Sequence, residues 1–263
     1  MSSDFLDMQA YIGITKHIGG IPASRTLLEL CHVDGAREIL DVGCGIGAGP
    51  VRIATTTSAR VVGLDVSERM LAWARRRAEA ARVQDRIELV RADVLDLPFE
   101  TDRFDIVMCE SVLSFVAGKE AAIREMVRVT KPGGYVGLNE GFDLTATPSQ
   151  RFVELVRSMG MDLITFEGWK ALWEGSGLTD RTVRVYRIEE GREVRDRLRW
   201  VGLPWVARGI ARGARLYLTD AAARTLFNDM FRAVVEKADD VDPAEAKAVW
   251  ASLVYGLFVG RKP

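Results

Sequence analysis

The sequence predicts an α/β fold: seven strands in a mostly parallel sheet, the last antiparallel, with helices on both faces and a helical cap. Three observations carry this. Apolar strand-like runs alternate with helix-like segments from residue 37 to residue 140, as in a buried parallel sheet. Gly43, Gly45 and Gly47 follow the first run at alternate positions, where a chain must turn tightly. After residue 147 helical segments take over, yet a strand-like run returns at 252–262 and must rejoin the sheet.

Each element has its own signal. REILDVG (37–43) is an apolar run that ends in glycine, and residues 48–58 follow as a helix. ARVVGLD (59–65) is the second strand. In SERMLAWARRRAEAAR, Ser67 suits an N-cap and Glu68 the first helical turn. RIELVRAD (86–93) and FDIVMCE (104–110) are the third and fourth strands. KEAAIREMVRV (119–129) has helical spacing, KPGG (131–134) stops it, and YVGLNE (135–140) is the fifth strand. PSQRFVELVRSMG and FEGWKALWEGSG read as helices, RTVRVYRI (181–188) as a strand, and SLVYGLFVGRK (252–262) as the last strand. The stretch between those two strands reads as helices. The expected division is an N-terminal pair of lid helices over 1–36, a core over 37–188 and 251–263 with 141–175 partly cap, and a helical insertion over 189–250.

The bulk numbers set outer limits. A chain of 263 residues suits one large domain that needs no staples. Its formal net charge of −1 asks for no nucleic acid. Cys31, Cys44 and Cys109 are odd in number and show no CxxC spacing, so neither a disulfide framework nor a metal site is expected and a reducing cytoplasm fits. The start, MSSDFLDMQAYIG, has neither the basic residues nor the apolar core of a signal peptide. No uncharged apolar run approaches the length of a spanning helix.

In a parallel sheet, ligands sit at the carboxyl ends of the strands. That rim would hold the glycine run, Asp65, Asp93 and Glu110. Three readings of ILDVGCGIGAG compete. In the first, the glycines simply turn a strand into a helix. Gly43, Gly45 and Ala48, with Asp65 downstream, also satisfy a dinucleotide fingerprint. Against NAD stand Asp41 just inside the loop, Asp93 ending the third strand, and KPGG leading into the fifth.

The third reading comes from a resemblance. ILDVGCGIGAG, GLDVSERML, RADVLDLPFETDRFDIVMCESV and VTKPGGYVGLNE resemble the successive motifs of class I S-adenosylmethionine-dependent methyltransferases. The likeness is nearest the small-molecule branch, which includes quinone-biosynthesis and sterol-type enzymes. It covers about residues 37–140 and the final strand, and implies a Rossmann-like fold. It also implies S-adenosylmethionine as cofactor, with S-adenosylhomocysteine as product. By this resemblance the loop Asp41, Gly43, Cys44, Gly45 and Gly47 cradles the methionine end, and Asp65 takes the ribose hydroxyls. Val66 and Met70 flank the adenine, Asp93 takes its amino group with Val94 beside it, and Glu110 lies near the methionine moiety and the reaction centre.

The acceptor is expected to be a small, hydrophobic molecule. CESVLSFV after the fourth strand lacks the polar-Pro-Pro-aromatic stretch of many methyltransferases that act on nucleobase amines or glutamine amides. Candidates for a general base or an orienting group are His17, Glu110 and Glu140, with Tyr11 as a lid residue. No metal cluster can be assembled. Residues 192–217 join seven arginines to Trp200 and Trp205. The expected role is a lid or a dimer helix, with DDVDPAE (239–245) as a source of acidic partners. The alternative is a membrane-surface helix. A homodimer, a cytoplasmic location and peripheral contact with a membrane are the matching expectations. Outside methyl transfer to such an acceptor stand transfer to a polar small molecule or RNA, a non-catalytic cofactor-binding subunit, and a NAD-linked oxidoreductase.

Overall fold

A computed structural model describes residues 4–13, 18–143, 160–188, 201–229 and 253–263, with the single positions 150, 153–154, 157, 195 and 198–199. Seven strands are present among them: β1 (Glu38–Val42), β2 (Arg60–Asp65), β3 (Ile87–Arg91), β4 (Phe104–Glu110), β5 (Thr130–Asp143), β6 (Thr179–Arg187) and β7 (Leu253–Arg261). They form one sheet in the order β3-β2-β1-β4-β5-β7-β6. Strands β1 to β5 pair in parallel, and β7 runs antiparallel to both β5 and β6. The predicted mixed sheet with an antiparallel final strand is therefore the observed one.

The period-2 alternation of each strand decides which helices cover which face. Leu40, Val42, Val62, Leu64, Val107, Val136 and Leu138 point to one side. There they meet α5 (Lys119–Val129) and α6 (Phe166–Glu174). Ile39, Val61, Ile106, Met108 and Leu257 point to the other, against α2 (Gly20–Leu30) and α3 (Ala48–Thr56). Burying each such side chain contributes about 1.5–3 kcal/mol, so a strand slipped by one residue would lose most of both cores. Helix α4 (Glu68–Ala80) lies beside α3. Its cap is the predicted one: Ser67 Oγ accepts from Met70 N at 3.4 Å. Thr165 caps α6 in the same way, accepting from Gly168 N.

One boundary differs from expectation. Strand β5 begins at Thr130, so KPGG lies inside the strand. The register against β4 shifts between Phe104 and Ile106, Gly133 takes φ +79°, and Gly133 N donates to Lys262 O while Lys262 N donates to Gly134 O. The end of β7 thus pairs with residues that sequence alone assigns to a turn.

A cap rises on the rim side. Helix α1 (Asp4–Ile12) and helix α7 (Leu203–Thr219) meet over α4. Trp73 Nε1 donates to Ala10 O at 3.0 Å, Arg212 donates to Ile12 O at 2.8 Å, and both terminal nitrogens of Arg77 donate to Val201 O at 3.1 Å. Gly202 at φ +88° turns the chain, and Pro204 then suits the first helical turn. The helix runs through Gly209 and Gly213, although glycine weakens helices. At Gly213 a side chain would press on Ile12, with a Cβ 3.1 Å from its Cγ2. Two arginines of this stretch stack on tryptophan rings: Arg208 on Trp205, Arg212 on Trp73. The acidic stretch 239–245 and His17 lie outside the described residues.

Candidate functional site

The rim is built from the carboxyl ends of β1, β2 and β4 and the loops that leave them. After β1, Gly43, Gly45 and Gly47 all take left-handed backbone, at φ +71°, +52° and +76°, where an L side chain costs roughly 1–2 kcal/mol. Neighbouring protein atoms reinforce the demand. A Cβ on Gly43 would strike Val112, one on Gly47 would lie 2.8 Å from Ala74 of α4, and one on Gly49 would strike the Asp41 carboxylate. At these positions glycine therefore serves close packing as well as the turn. Gly43 N and Cys44 N both donate to Leu64 O, which ties the loop to β2. Cys44 is buried, and burial pushes its thiol well up.

Asp65 holds the loop from the other side. Its Oδ2 accepts from Gly45 N and its Oδ1 from Ser67 N, each at 2.9 Å. One carboxylate thus fixes both the glycine loop and the start of α4, and each oxygen keeps a second lone pair for a ligand hydroxyl. Burial raises its pKa, against the opposing pull of those two bonds. Val66 is 61% exposed, which leaves an apolar face between Asp65 and Asp93. Asp93 is exposed; its Oδ1 accepts from Leu95 N, and Val94 beside it is buried. Met70 follows at the start of α4. It is buried with Ala10, Ile46 and Val201 under the cap.

Asp41 is the unusual residue. It is buried, and no donor among the described residues reaches its carboxylate. Burial raises its pKa well above the carboxylate range, and the Glu110 and Asp65 charges raise it further. A buried carboxylate without a partner is costly. It suits a ligand that brings a cation.

Glu110 and Glu140, the two candidate bases, are otherwise engaged. Ser24 Oγ lies 2.8 Å from both Glu110 oxygens, and Asn139 Nδ2 donates to Oε2 at 3.1 Å. Asn139 Nδ2 also donates to Ile18 O, and Ile18 N donates to Ser111 Oγ. These bonds latch the segment from Ile18 to Ser24 onto the rim. Glu140 is fully enclosed. Its Oε1 accepts from Val112 N and Leu113 N, and its Oε2 from Ser114 N and Ser114 Oγ. Those four bonds shape the turn after β4. Burial still raises its pKa, but with no solvent access Glu140 is a structural anchor and not a base. Tyr11 of α1 stacks under Arg69, 3.8 Å from its guanidinium carbon.

Sequence reasoning missed the Ser24–Asn139 latch and Arg77. Asn139 and Glu140 are two polar residues at the end of an apolar strand, and Arg77 interrupts the apolar face of α4 between Ala74 and Ala78. Those interruptions were the available signals.

A strand–glycine loop–helix that faces two rim carboxylates at adjacent strand ends is the layout of a Rossmann-like nucleotide-cofactor fold. A family profile described as a methyltransferase domain matches residues 40–138. That match spans less than half of the chain, and the seven-stranded sheet with its antiparallel β7 has the Rossmann-like arrangement that goes with it. The chain is 28% identical over 162 residues to phosphoethanolamine N-methyltransferase 1 of Arabidopsis thaliana, covering 62% of this chain and 33% of that protein. It spans only about a third of that relative's length. In fold it resembles the phosphoethanolamine N-methyltransferase 2 of Haemonchus contortus in complex with S-adenosyl-L-methionine, at TM-score 0.69 and 21% identity over 98% of this chain and 57% of that one. It equally resembles the [4+2]-cyclase SpnF, at TM-score 0.71 and 20% identity over 100% and 97% of the two chains.

Proposed function

We propose that this chain transfers a methyl group from S-adenosylmethionine to a small organic acceptor whose reacting end is apolar. The observation that carries the reading is Asp41, a buried carboxylate with no donor among the described residues, beside a glycine loop that Asp65 holds open-sided. Asp41 would take the ammonium of the amino-acid tail, and Asp65 the ribose hydroxyls. Val66 would lie against the adenine, with Asp93 at its amino group. When bound, S-adenosylmethionine supplies an activated methyl on a sulfonium.

The chain's own residues have three tasks. The loop fixes the cofactor's tail, so that the acceptor meets a defined geometry. The latched segment from Ile18 to Ser24 covers the rim and excludes water. Val112 puts an apolar body beside Gly43 of the loop, which supports an acceptor with an apolar reacting end. The names of the plant and nematode relatives favour a second reading, a polar phosphorylated amine.

The test uses S-adenosylmethionine labelled in the methyl group, incubated with cell extract and the protein, with heat-denatured protein as the blank. Label in organic-soluble small molecules is the expected result. Label in polar small molecules selects the second reading. Label in RNA or protein overturns the small-molecule class. No label above the blank, with cofactor binding confirmed, refutes methyl transfer and favours a cofactor-binding protein with other chemistry.

A further inference from the structure

Helix α7 has two unlike faces. Trp205, Gly209, Arg212 and Gly213 turn inward: Trp205 meets Trp73 edge-on, Gly209 is buried, and Gly213 lies against Ile12. The opposite face carries Leu203, Ile210, Tyr217 and Leu218, which are 66%, 65%, 41% and 75% exposed. Leu203, Ile210 and Tyr217 recur every seventh residue, so they line one stripe. Ala207, Ala211 and Ala214, all exposed, fill the gaps between them. Isolated exposed aliphatics are ordinary, but a continuous stripe along a helix marks a contact surface.

The charge beside the stripe is of one sign. Arg208 and Arg215 run along its flank, both exposed, and α7 contains no Asp or Glu. Arg76 of α4 stands nearby, stacked on Trp73 at 4.7 Å, and Arg212 stacks on the same ring at 3.8 Å. Among the described residues no carboxylate pairs with Arg76, Arg208, Arg212 or Arg215. Arg76 and Arg208 instead act on Arg212 as like charges, which add to burial in lowering its pKa. Among the described residues the cluster lacks a counter-charge, and the aliphatic side chains beside it lack a cover.

We propose that the outward face of α7 docks on an anionic lipid surface. Headgroup phosphates and carboxylates supply the counter-charge to Arg208 and Arg215, while Leu203, Ile210 and Leu218 enter the acyl boundary. This is the arrangement of a helix lying in the plane of a bilayer interface. It needs no spanning segment, and no helix among the described residues is long and apolar enough to cross a membrane. The inference does not depend on methyl transfer.

The full chain is floated with vesicles of phosphatidylcholine alone and of phosphatidylcholine mixed with phosphatidylserine. Binding is expected to the mixed vesicles, and to weaken in high salt. Each arginine near such a surface contributes about fivefold in partitioning, so Arg208→Gln/Arg215→Gln lowers binding about 25-fold. Ile210→Ser/Leu218→Ser lowers it at least about tenfold. All four side chains are exposed, so both variants keep the wild-type melting transition, which separates lost docking from lost folding. No binding to phosphatidylserine vesicles at low salt overturns the proposal, as does binding that neither variant changes. A concentration-dependent dimer that Ile210→Ser/Leu218→Ser dissolves, in a chain that ignores the vesicles, assigns the face to a second copy and equally overturns it.

Discussion

Replacing Asp41 by Asn keeps its shape and removes its charge, and the effect has opposite signs with and without cofactor. In the free chain the carboxylate is buried, unpartnered, and pushed up by burial and by the Glu110 and Asp65 charges. The folded chain therefore holds a proton that the unfolded chain releases above about pH 4. Stability from this group is full below that pH and falls as pH rises toward the folded value. Asparagine has no such slope. The gain of Asp41→Asn over wild type is thus near zero at pH 4 and grows to about 1 kcal/mol above the folded value, the lower end of the cost of an unsatisfied buried group. For a chain of this size that is about 2 °C in melting temperature. Cofactor reverses the order. A hydrogen bond to a charged partner contributes about 1.5–3 kcal/mol, so the variant should bind S-adenosylhomocysteine about 10- to 150-fold more weakly. An analogue that lacks the amino group should bind both proteins alike. Calorimetric titration and thermal melts across pH make the two measurements. Equal affinity of both proteins for S-adenosylhomocysteine, or a stability difference that does not change with pH, would refute the assignment.

Three further outcomes follow from the geometry. Gly43→Ala should cost about 2–4 kcal/mol in urea unfolding, from its left-handed backbone and the Val112 contact; adding Val112→Ala should recover the contact share alone. Glu140→Gln should cost about 1.5–3 kcal/mol, because the amide nitrogen that replaces one oxygen turns a donor toward an N–H group that needs an acceptor, while the folded fraction binds cofactor as wild type does. Arg77→Met should cost about 2 kcal/mol through the lost bonds to Val201 O, and hydrogen exchange should rise across α7 and not in the sheet.

Alternation within strands carried most of the fold into the sequence. Leu40 and Val42 against Ile39 already separate the two faces, and Ser67 announces α4 at its cap. These signals are local. The start of β5 depends on Lys262, a residue from the far end of the chain, so the Pro and two glycines beside it read as a turn. The rim acids Asp41 and Asp65 were legible because they sit at strand ends beside a glycine run. Glu140 was not, since its role comes from a turn 26–28 residues upstream that closes around it. The burial of Met70 was hidden for a similar reason: what buries it is Ala10 and Val201, which only the cap brings near. The glycines stood out, but Ala74 and Val112, which crowd two of them, are tertiary neighbours that no spacing reveals.

Strands β6 and β7 are antiparallel neighbours, with Arg187 paired to Val254 at the rim end. They form, in effect, a hairpin whose loop is the whole 189–252 stretch. The two feet of that loop stand side by side on the sheet, about 5 Å apart. A loop so anchored is nearly indifferent to its own length, since doubling it costs only about 0.6 kcal/mol in closure entropy. Seven strands and the cofactor rim can therefore stay fixed while the cap is shortened, lengthened or exchanged. The molecule separates a fixed engine from a replaceable roof, and changes in what the protein recognises can accumulate in the roof without cost to the sheet.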